Sequence, residues 1–178
     1  MEHFLELFAV FIRNHTNVSS NIQDKFLISA IREALDIDLQ ETIGTKLYEE
    51  LIRITENETE IRENEMFMDL LTYTKYFVAY ITVARLAVIS SVKIDNIGLN
   101  KTSDEHVESL DMSDVFSIED HYYNKADVYK NRLQKFICAN KSYFKEWLSN
   151  TKLDEIKANL YSAATSSIWL GGARGKNI

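Results

Sequence analysis

Residues Glu65–Ser90, EMFMDLLTYTKYFVAYITVARLAVIS, decide the fold. They contain neither glycine nor proline, and their only charges are Glu65, Asp69, Lys75 and Arg85. One set of residues recurs at intervals of three and four, which is the spacing of a single helical face. The set is Met66, Leu70, Tyr73, Thr74, Phe77, Ile81, Ala84 and Val88. Further apolar residues widen this face around most of the circumference, so the pattern predicts the central helix of an all-α domain.

A membrane span is the alternative for so apolar a helix. A span needs about 20 consecutive apolar residues, and Lys75 and Arg85 interrupt this stretch. Because charged side chains are costly in lipid, the sequence favours a core helix and predicts no membrane contact.

The composition predicts one domain built from long helices. The chain has 178 residues, no proline and five glycines, which favours uninterrupted helices over tight turns. Its single cysteine, Cys138, excludes an internal disulfide and fits a reducing compartment. The first residues lack the basic start and cleavage site of a signal peptide.

The net charge of −7 is unevenly distributed along the chain. Residues 1–124 carry 10 Lys and Arg against 23 Asp and Glu, whereas residues 125–178 carry 10 against 4. This asymmetry is compatible with a nucleic-acid face, a charged partner, contacts between acidic and basic faces of neighbouring subunits, or simply a solvated surface.

Several shorter elements are predicted before the central helix. Phe4–Ile12 reads as a helix or an extended arm. A helix over Ile22–Leu35 is followed by a short helical turn, Asp36–Ile43, which Gly44 closes. The sequence further predicts that Thr45 caps a helix over Lys46–Thr55 and that Glu56–Glu65, with five glutamates, is a solvated connection.

After the central helix the pattern changes to alternation. Val92–Leu99 predicts a short strand or hairpin arm, with Asn96 and Gly98 as turn residues. Asn100–Phe116 is acidic and reads as a loop.

A second long helix is predicted over Ser117–Leu148, where Ser117 and Asp120 resemble a capping box. A short helix over Lys152–Tyr161 would follow. Residues 162–167 are small, and Ile168–Ile178 holds three glycines after an apolar start. The sequence therefore predicts a helical domain over residues 1–161 and a flexible docking tail over residues 162–178.

No pattern of residues predicts catalysis or a cofactor. The four histidines show no metal-ligand pairing, and Cys138 has no nucleophile signature. Asp104, Glu105 and His106 are adjacent, but a solvated acidic loop explains them. The glycines near Arg174 and Lys176 precede no helix that could hold a phosphate. The sequence thus predicts a non-enzyme without catalytic, cofactor-binding or metal-binding residues.

The order of elements resembles a known family. The first two helices carry an Ile-Gly-x-x-Leu-Tyr turn, and the long helix, arm, acidic segment and second long helix follow in the family's order. The residues that carry the likeness are Asn21, Ile22, Ala30, Ile31, Ala34, Asp38, Leu39, Ile43–Leu51, Val92–Gly98, Ala126, Tyr129, Leu133, Phe136, Ile137, Asn140, Phe144, Trp147 and Leu148. Over Ile22–Leu148 the chain is similar to head–tail connector (adaptor) proteins of tailed bacteriophages, in the version found in Bacteroidetes phages, including crAss-like phages.

The resemblance implies a structural virion protein made in the host bacterial cytoplasm. Such proteins form a homo-oligomeric ring, here of about twelve subunits to match the portal, in the neck between capsid and tail. The partners implied are the portal protein, a further ring, stopper or tail protein, and DNA that passes without sequence-specific contact.

The resemblance also implies two sets of interacting residues. The C-terminal segment would dock on the portal through Ile168, Trp169, Leu170, Gly171, Gly172, Arg174 and Lys176. The arm between subunits would consist of Val92, Ile94, Asn96 and Gly98. The alternative for Trp169 is that it folds back onto the subunit's own core.

Two other functional classes remain open on the residues alone. An acidic helical module for nucleic-acid binding or DNA packaging would use the basic residues Lys125, Lys130, Arg132, Lys135, Lys141 and Lys145, although DNA-binding domains are usually basic overall. A small helical enzyme is disfavoured because no polar residues converge on a site.

Overall fold

The computed structural model describes residues 2–19, 21–95, 98–101, 111–149, 152 and 155–160, and it confirms that the protein is mostly helical. The elements are α1 (Glu2–His15), α2 (Asp24–Glu33), a π-helical segment (Ala34–Leu39), α3 (Gln40–Ile43), α4 (Thr45–Thr55), α5 (Glu58–Glu63), α6 (Glu65–Ser91), β1 (Val92–Asp95), β2 (Gly98–Lys101) and α7 (Met112–Ala139).

The two long helices, α6 and α7, pack against each other in antiparallel directions. Phe67 near the start of α6 contacts Phe144 beyond the end of α7, with ring centroids 5.8 Å apart, whereas Tyr80 meets Tyr122 near the start of α7. Phe77 of α6 is buried in the core. Besides α7, the helices α1, α2, α4 and α5 and the π-helical segment contact α6.

The N-terminal segment is a helix rather than an extended arm. Phe4, Phe8 and Ile12 follow at intervals of four and are fully buried. This interval places the three side chains on one helical face, and burying that face against the core stabilises the helix where propensity alone would not.

The start of α4 differs from the prediction. Gly44, not Thr45, occupies the N-cap position of α4, and its φ is +83°. The Thr45 hydroxyl instead accepts hydrogen bonds from the amide of Ile156 (2.9 Å) and from Nε2 of Gln40 (3.0 Å). The capping prediction was wrong because a distant segment uses this hydroxyl.

The acidic connection after α4 is mostly exposed, as predicted, but it contains a short helix that was not predicted. It forms the short helix α5 because the Asn57 side chain caps its start by accepting a hydrogen bond from the amide of Glu60. Arg53 bonds the carboxylates of Glu50 and Glu60, and the hydrogen bonds from its guanidinium lower the pKa of Glu60.

The boundaries of the second long helix differ from the prediction at both ends. It begins at Met112 with Asp111 in the N-cap position, so residues 112–116 are helical rather than loop. Ser117 lies inside the helix, where its hydroxyl donates to the carbonyl of Ser113, and it forms no capping box. The helix ends at Ala139, and the next residue, Asn140, has a non-helical backbone. The backbone amide and the side-chain amide of Asn140 both donate to the Phe136 carbonyl.

The described residues of the segment predicted as a helix over Lys152–Tyr161 are not helical. The Thr45 amide donates to the carbonyl of Ile156, the Asn159 amide donates to that of Glu41, and Nε2 of Gln134 donates to the Asn159 carbonyl. These bonds to α3, α4 and α7 replace the internal bonds of a helix. Residues 155–160 therefore fasten the start of α4 to α7.

Candidate interaction surfaces

The predicted inter-subunit arm lies on a β-hairpin that continues directly from α6. Its strands pair antiparallel, with Val92 opposite Lys101 and Ile94 opposite Leu99. Val92 and Ile94 lie on β1 and Gly98 begins β2, while Asn96 lies outside the described residues. The contact of this arm with a second subunit stays a prediction.

The predicted portal-docking residues all fall within residues 161–178, which lie outside the described part of the chain. The flexible tail, its boundary at residue 162 and the docking role of Ile168, Trp169, Leu170, Gly171, Gly172, Arg174 and Lys176 stay predictions. The acidic cluster of Asp104, Glu105 and His106 also lies outside the described residues.

A ladder of four stacked tyrosines joins α6 to α7. Tyr76 stacks on Tyr129 with ring centroids 5.1 Å apart, Tyr129 stacks on Tyr80 at 5.2 Å, and Tyr80 stacks on Tyr122 at 6.3 Å. Phe11 of α1 meets the edge of Tyr76 at 5.2 Å. The rings are only partly buried, and burial raises the pKa of Tyr80. We name Tyr76, Tyr80, Tyr122 and Tyr129 the tyrosine ladder.

Cations lie over three of the four rings. The Lys125 ammonium lies 5.0 Å from the Tyr122 ring centroid and 5.7 Å from that of Tyr80, and the Arg132 guanidinium lies 4.9 Å from that of Tyr129. Such contacts are attractive and restrain the long side chains. The sequence indicated the two cations, Lys125 and Arg132, but not the ladder. The spacing of four between Tyr76 and Tyr80, and of seven between Tyr122 and Tyr129, is the signal that could have found it.

The basic residues singled out in the sequence do not form one patch. Lys125, Arg132 and Lys135 share one side of α7, whereas Lys130 points about 140° away from Lys125 by helical geometry. Lys141 and Lys145 lie in the turns after α7.

An open groove of about 480 Å³ runs along α1. Its lining residues are His3, Glu6, Leu7, Val10, Phe11, Asn14, His15 and Lys75. His15 stacks on Phe11 at 4.1 Å and its Nδ1 lies 3.0 Å from the Phe11 carbonyl, so this ring is engaged in local packing. Burial lowers the pKa of Lys75. The groove brings together no nucleophile and base with the mutual geometry of a catalytic site.

Arg85, which the sequence analysis treated only as an interruption of an apolar helix, forms a partly buried ion-pair cluster. Its Nη2 lies 2.8 Å from the Asp38 carboxylate and its Nη1 lies 3.0 Å from that of Glu33. Burial lowers the pKa of Arg85, but hydrogen bonding and charge from Asp38 outweigh this and raise it overall. The cluster ties α6 to α2 and the π-helical segment, and no pattern local to the sequence could have paired residues so far apart.

In the described residues, no three His, Cys, Asp or Glu side chains lie close enough together to hold a metal ion. Within the same residues, no helix is long and apolar enough to cross a membrane. Cys138 is exposed, and its Sγ lies 3.7 Å from the Leu160 carbonyl.

Comparison with known proteins gives one family assignment. No curated protein and no solved structure matches the chain significantly. A family model matches residues 39–156, from the end of the π-helical segment through α7 to the segment that fastens α4. The match covers more than half of the chain, and the protein therefore belongs to DUF6712, a family of unknown function.

Proposed function

We propose that this protein is a non-enzymatic structural subunit of the head–tail connector of a tailed bacteriophage. In this proposal about twelve copies form a ring beneath the portal in the neck of the virion, around the channel through which DNA passes. A stopper, further ring or tail protein would bind on the opposite side of the ring.

The observation that carries the proposal is the hairpin at the end of the paired long helices. Its strands, Val92–Asp95 and Gly98–Lys101, form a two-stranded sheet, and the described part of the chain adds no further strand to it. An isolated two-stranded hairpin is marginally stable in water, so contact with another molecule would stabilise it. The order of a long helix, a hairpin and a second long helix also supports the resemblance to connector proteins. The hairpin would then be the arm that reaches a neighbouring subunit.

The residues after the helical domain supply the proposed contact with the portal. Ile168, Trp169 and Leu170 form a compact apolar anchor in the sequence, and tryptophan is enriched at interface hot spots. Gly171 and Gly172 permit close approach of another backbone. Arg174 and Lys176 would pair with acidic groups of the portal or with DNA phosphates in the channel.

Deletion of residues 168–178 tests the portal contact. We expect the melting temperature of the isolated protein to stay nearly unchanged and binding to the portal protein of the same phage to be lost. The measurements are thermal unfolding and co-purification, and Ser166→Ala/Ser167→Ala is the matched control that should bind normally. If the deletion lowers stability by several kcal/mol while the folded fraction still binds the portal, Trp169 belongs to the subunit's own core.

A nucleic-acid-binding module is the second candidate, and the cations of the tyrosine ladder favour it. Against it, the tyrosine faces stack on one another or on Lys125 and Arg132, which leaves little ring face for stacking with bases. A DNA affinity that falls steeply with salt would favour this candidate.

A further inference from the structure

One side of α7 carries a row of basic and apolar residues, which are exposed except for the partly buried Lys125. The row follows intervals of three and four, which place its members along one helical face. Its members are Ile118, His121, Lys125, Val128, Arg132 and Lys135. Val128 and Ile118 are 50% and 38% exposed, which is high for β-branched side chains. We name this row the basic stripe.

The basic stripe is partly ordered before any partner binds. The tyrosine ladder lies beside it and holds Lys125 and Arg132 over its rings. Long cationic side chains normally lose rotamer freedom on binding, and restraint in the free protein reduces that cost. Exposed tyrosine and arginine are also the residue types enriched in protein interfaces.

A complementary acidic surface lies on the π-helical segment and its neighbours. It consists of Glu33, Asp36, Ile37, Asp38 and Glu41, and we name it the acidic face. Ile37 at its centre is 53% exposed. Arg85 pairs with Glu33 and Asp38, and the Tyr48 hydroxyl donates to Asp36 at 2.6 Å. One guanidinium among four carboxylates leaves this surface negative.

The basic stripe and the acidic face lie on opposite sides of α6. Tyr76 stacks on Tyr129 in the ladder beside the stripe, whereas Arg85 bonds two carboxylates of the acidic face. Arg85 follows Tyr76 by nine positions, which at about 100° per residue is half a turn. A copy that binds a neighbour through one surface therefore keeps the other surface available.

We propose that the basic stripe of one copy docks on the acidic face of a second copy. Val128 packs on Ile37 at the centre, and Lys125, Arg132 and Lys135 surround it with cations that meet Asp36 and Glu41. The exposed apolar centre on both surfaces favours a protein partner over DNA, whose backbone offers only phosphate and sugar. Contact between two different surfaces is head-to-tail and extends to a ring or an open chain. Closure of the ring rests on the connector proposal, but the pairwise contact does not.

Charge exchange between the two surfaces tests this contact. The stripe variant is Val128→Glu/Lys135→Glu, and the face variant is Ile37→Lys/Glu41→Lys. All four side chains are exposed, and neither variant removes the Arg85 ion pairs or the Tyr48 bond. Matched controls reverse charges elsewhere on the surface: Lys141→Glu/Lys145→Glu for the stripe, and Glu49→Lys/Glu63→Lys for the face. Circular dichroism verifies that each variant is folded.

Self-association is measured by sedimentation equilibrium and by dilution-dependent amide shifts at low salt. We expect each of the two variants to weaken self-association by about tenfold or more. The variant that combines all four substitutions should associate again. The controls should associate like the natural protein. Three results would each overturn the proposal: unchanged association in both variants, no recovery of association when all four substitutions are combined, or no association of the natural protein.

A parallel titration with duplex DNA distinguishes a nucleic-acid surface from a contact between two copies. If the stripe variant loses salt-dependent DNA binding while self-association is unaffected, the stripe is a nucleic-acid surface and the proposal is wrong. Deletion of residues 168–178, which tests the contact with the portal, leaves both surfaces intact. Failure of the connector proposal is therefore distinguishable from failure of this one.

Discussion

Gly44 is a residue whose backbone conformation and surroundings both exclude a side chain. Its φ of +83° is a region that favours glycine, and a Cβ there would lie 2.8 Å from the amide nitrogen of Ala158. The residue thus lets α3 end, α4 begin and residues 155–160 pass close by. The sequence analysis predicted a break at Gly44 from local chemistry, but the approach of Ala158 is a tertiary contact that no local pattern contains.

Gly44→Ala should lower the free energy of unfolding by about 1–3 kcal/mol, because a non-glycine residue at this φ is strained and the new methyl meets Ala158. Urea unfolding followed by circular dichroism measures the loss. Ala158→Gly in the same background should recover only a small part of it, because it removes the 3.2 Å contact with the Ala158 Cβ but neither the 2.8 Å contact with the Ala158 amide nitrogen nor the strain. A loss below about 0.5 kcal/mol would show that the backbone relaxes at this point.

The elements show why helix interiors were easier to predict than helix ends. The core of α6 is specified by local periodicity, since its buried residues recur at helical spacing. The end of α7 lies at Asn140, whose backbone is non-helical, and residues 155–160 depend on bonds to α3, α4 and α7. Single residues and partners distant in sequence decide such boundaries, and periodicity does not encode them.

The interaction surfaces also differ in how far the sequence predicted them. Hydrophobic alternation indicated a strand or hairpin after α6, because a period of two is local. The tyrosine ladder and the acidic face each need two or more elements to meet, so only their separate residues were visible in the sequence. The charge asymmetry along the chain was the one sequence signal that pointed to both surfaces.

The β-hairpin provides the prediction at the scale of an element. If residues 92–101 are replaced by a glycine–serine chain of equal length, we expect the free energy of unfolding to change by less than about 1 kcal/mol, because a two-stranded sheet contributes little by itself. The number of copies bound per portal, measured by native mass spectrometry, should fall. The natural chain is the control. A loss of several kcal/mol would instead show that the hairpin completes the subunit's own fold.

At the scale of the whole molecule, the distribution of charge is the basis on which we propose assembly with other chains. The chain carries a net charge of −7, and the basic stripe on α7 and the acidic face lie on opposite sides of α6. Unlike surfaces on opposite sides suit a subunit that contacts two neighbours through different faces. A connector ring is the assembly that we propose for this arrangement.

Native mass spectrometry of the full chain mixed with the portal protein of the same phage tests this proposal most directly. The account predicts a complex whose mass equals one portal ring plus one full ring of about twelve copies, with few partly filled species once the protein is in excess. The proposal would be contradicted if the portal ring and the protein appeared only at their separate masses at every mixing ratio.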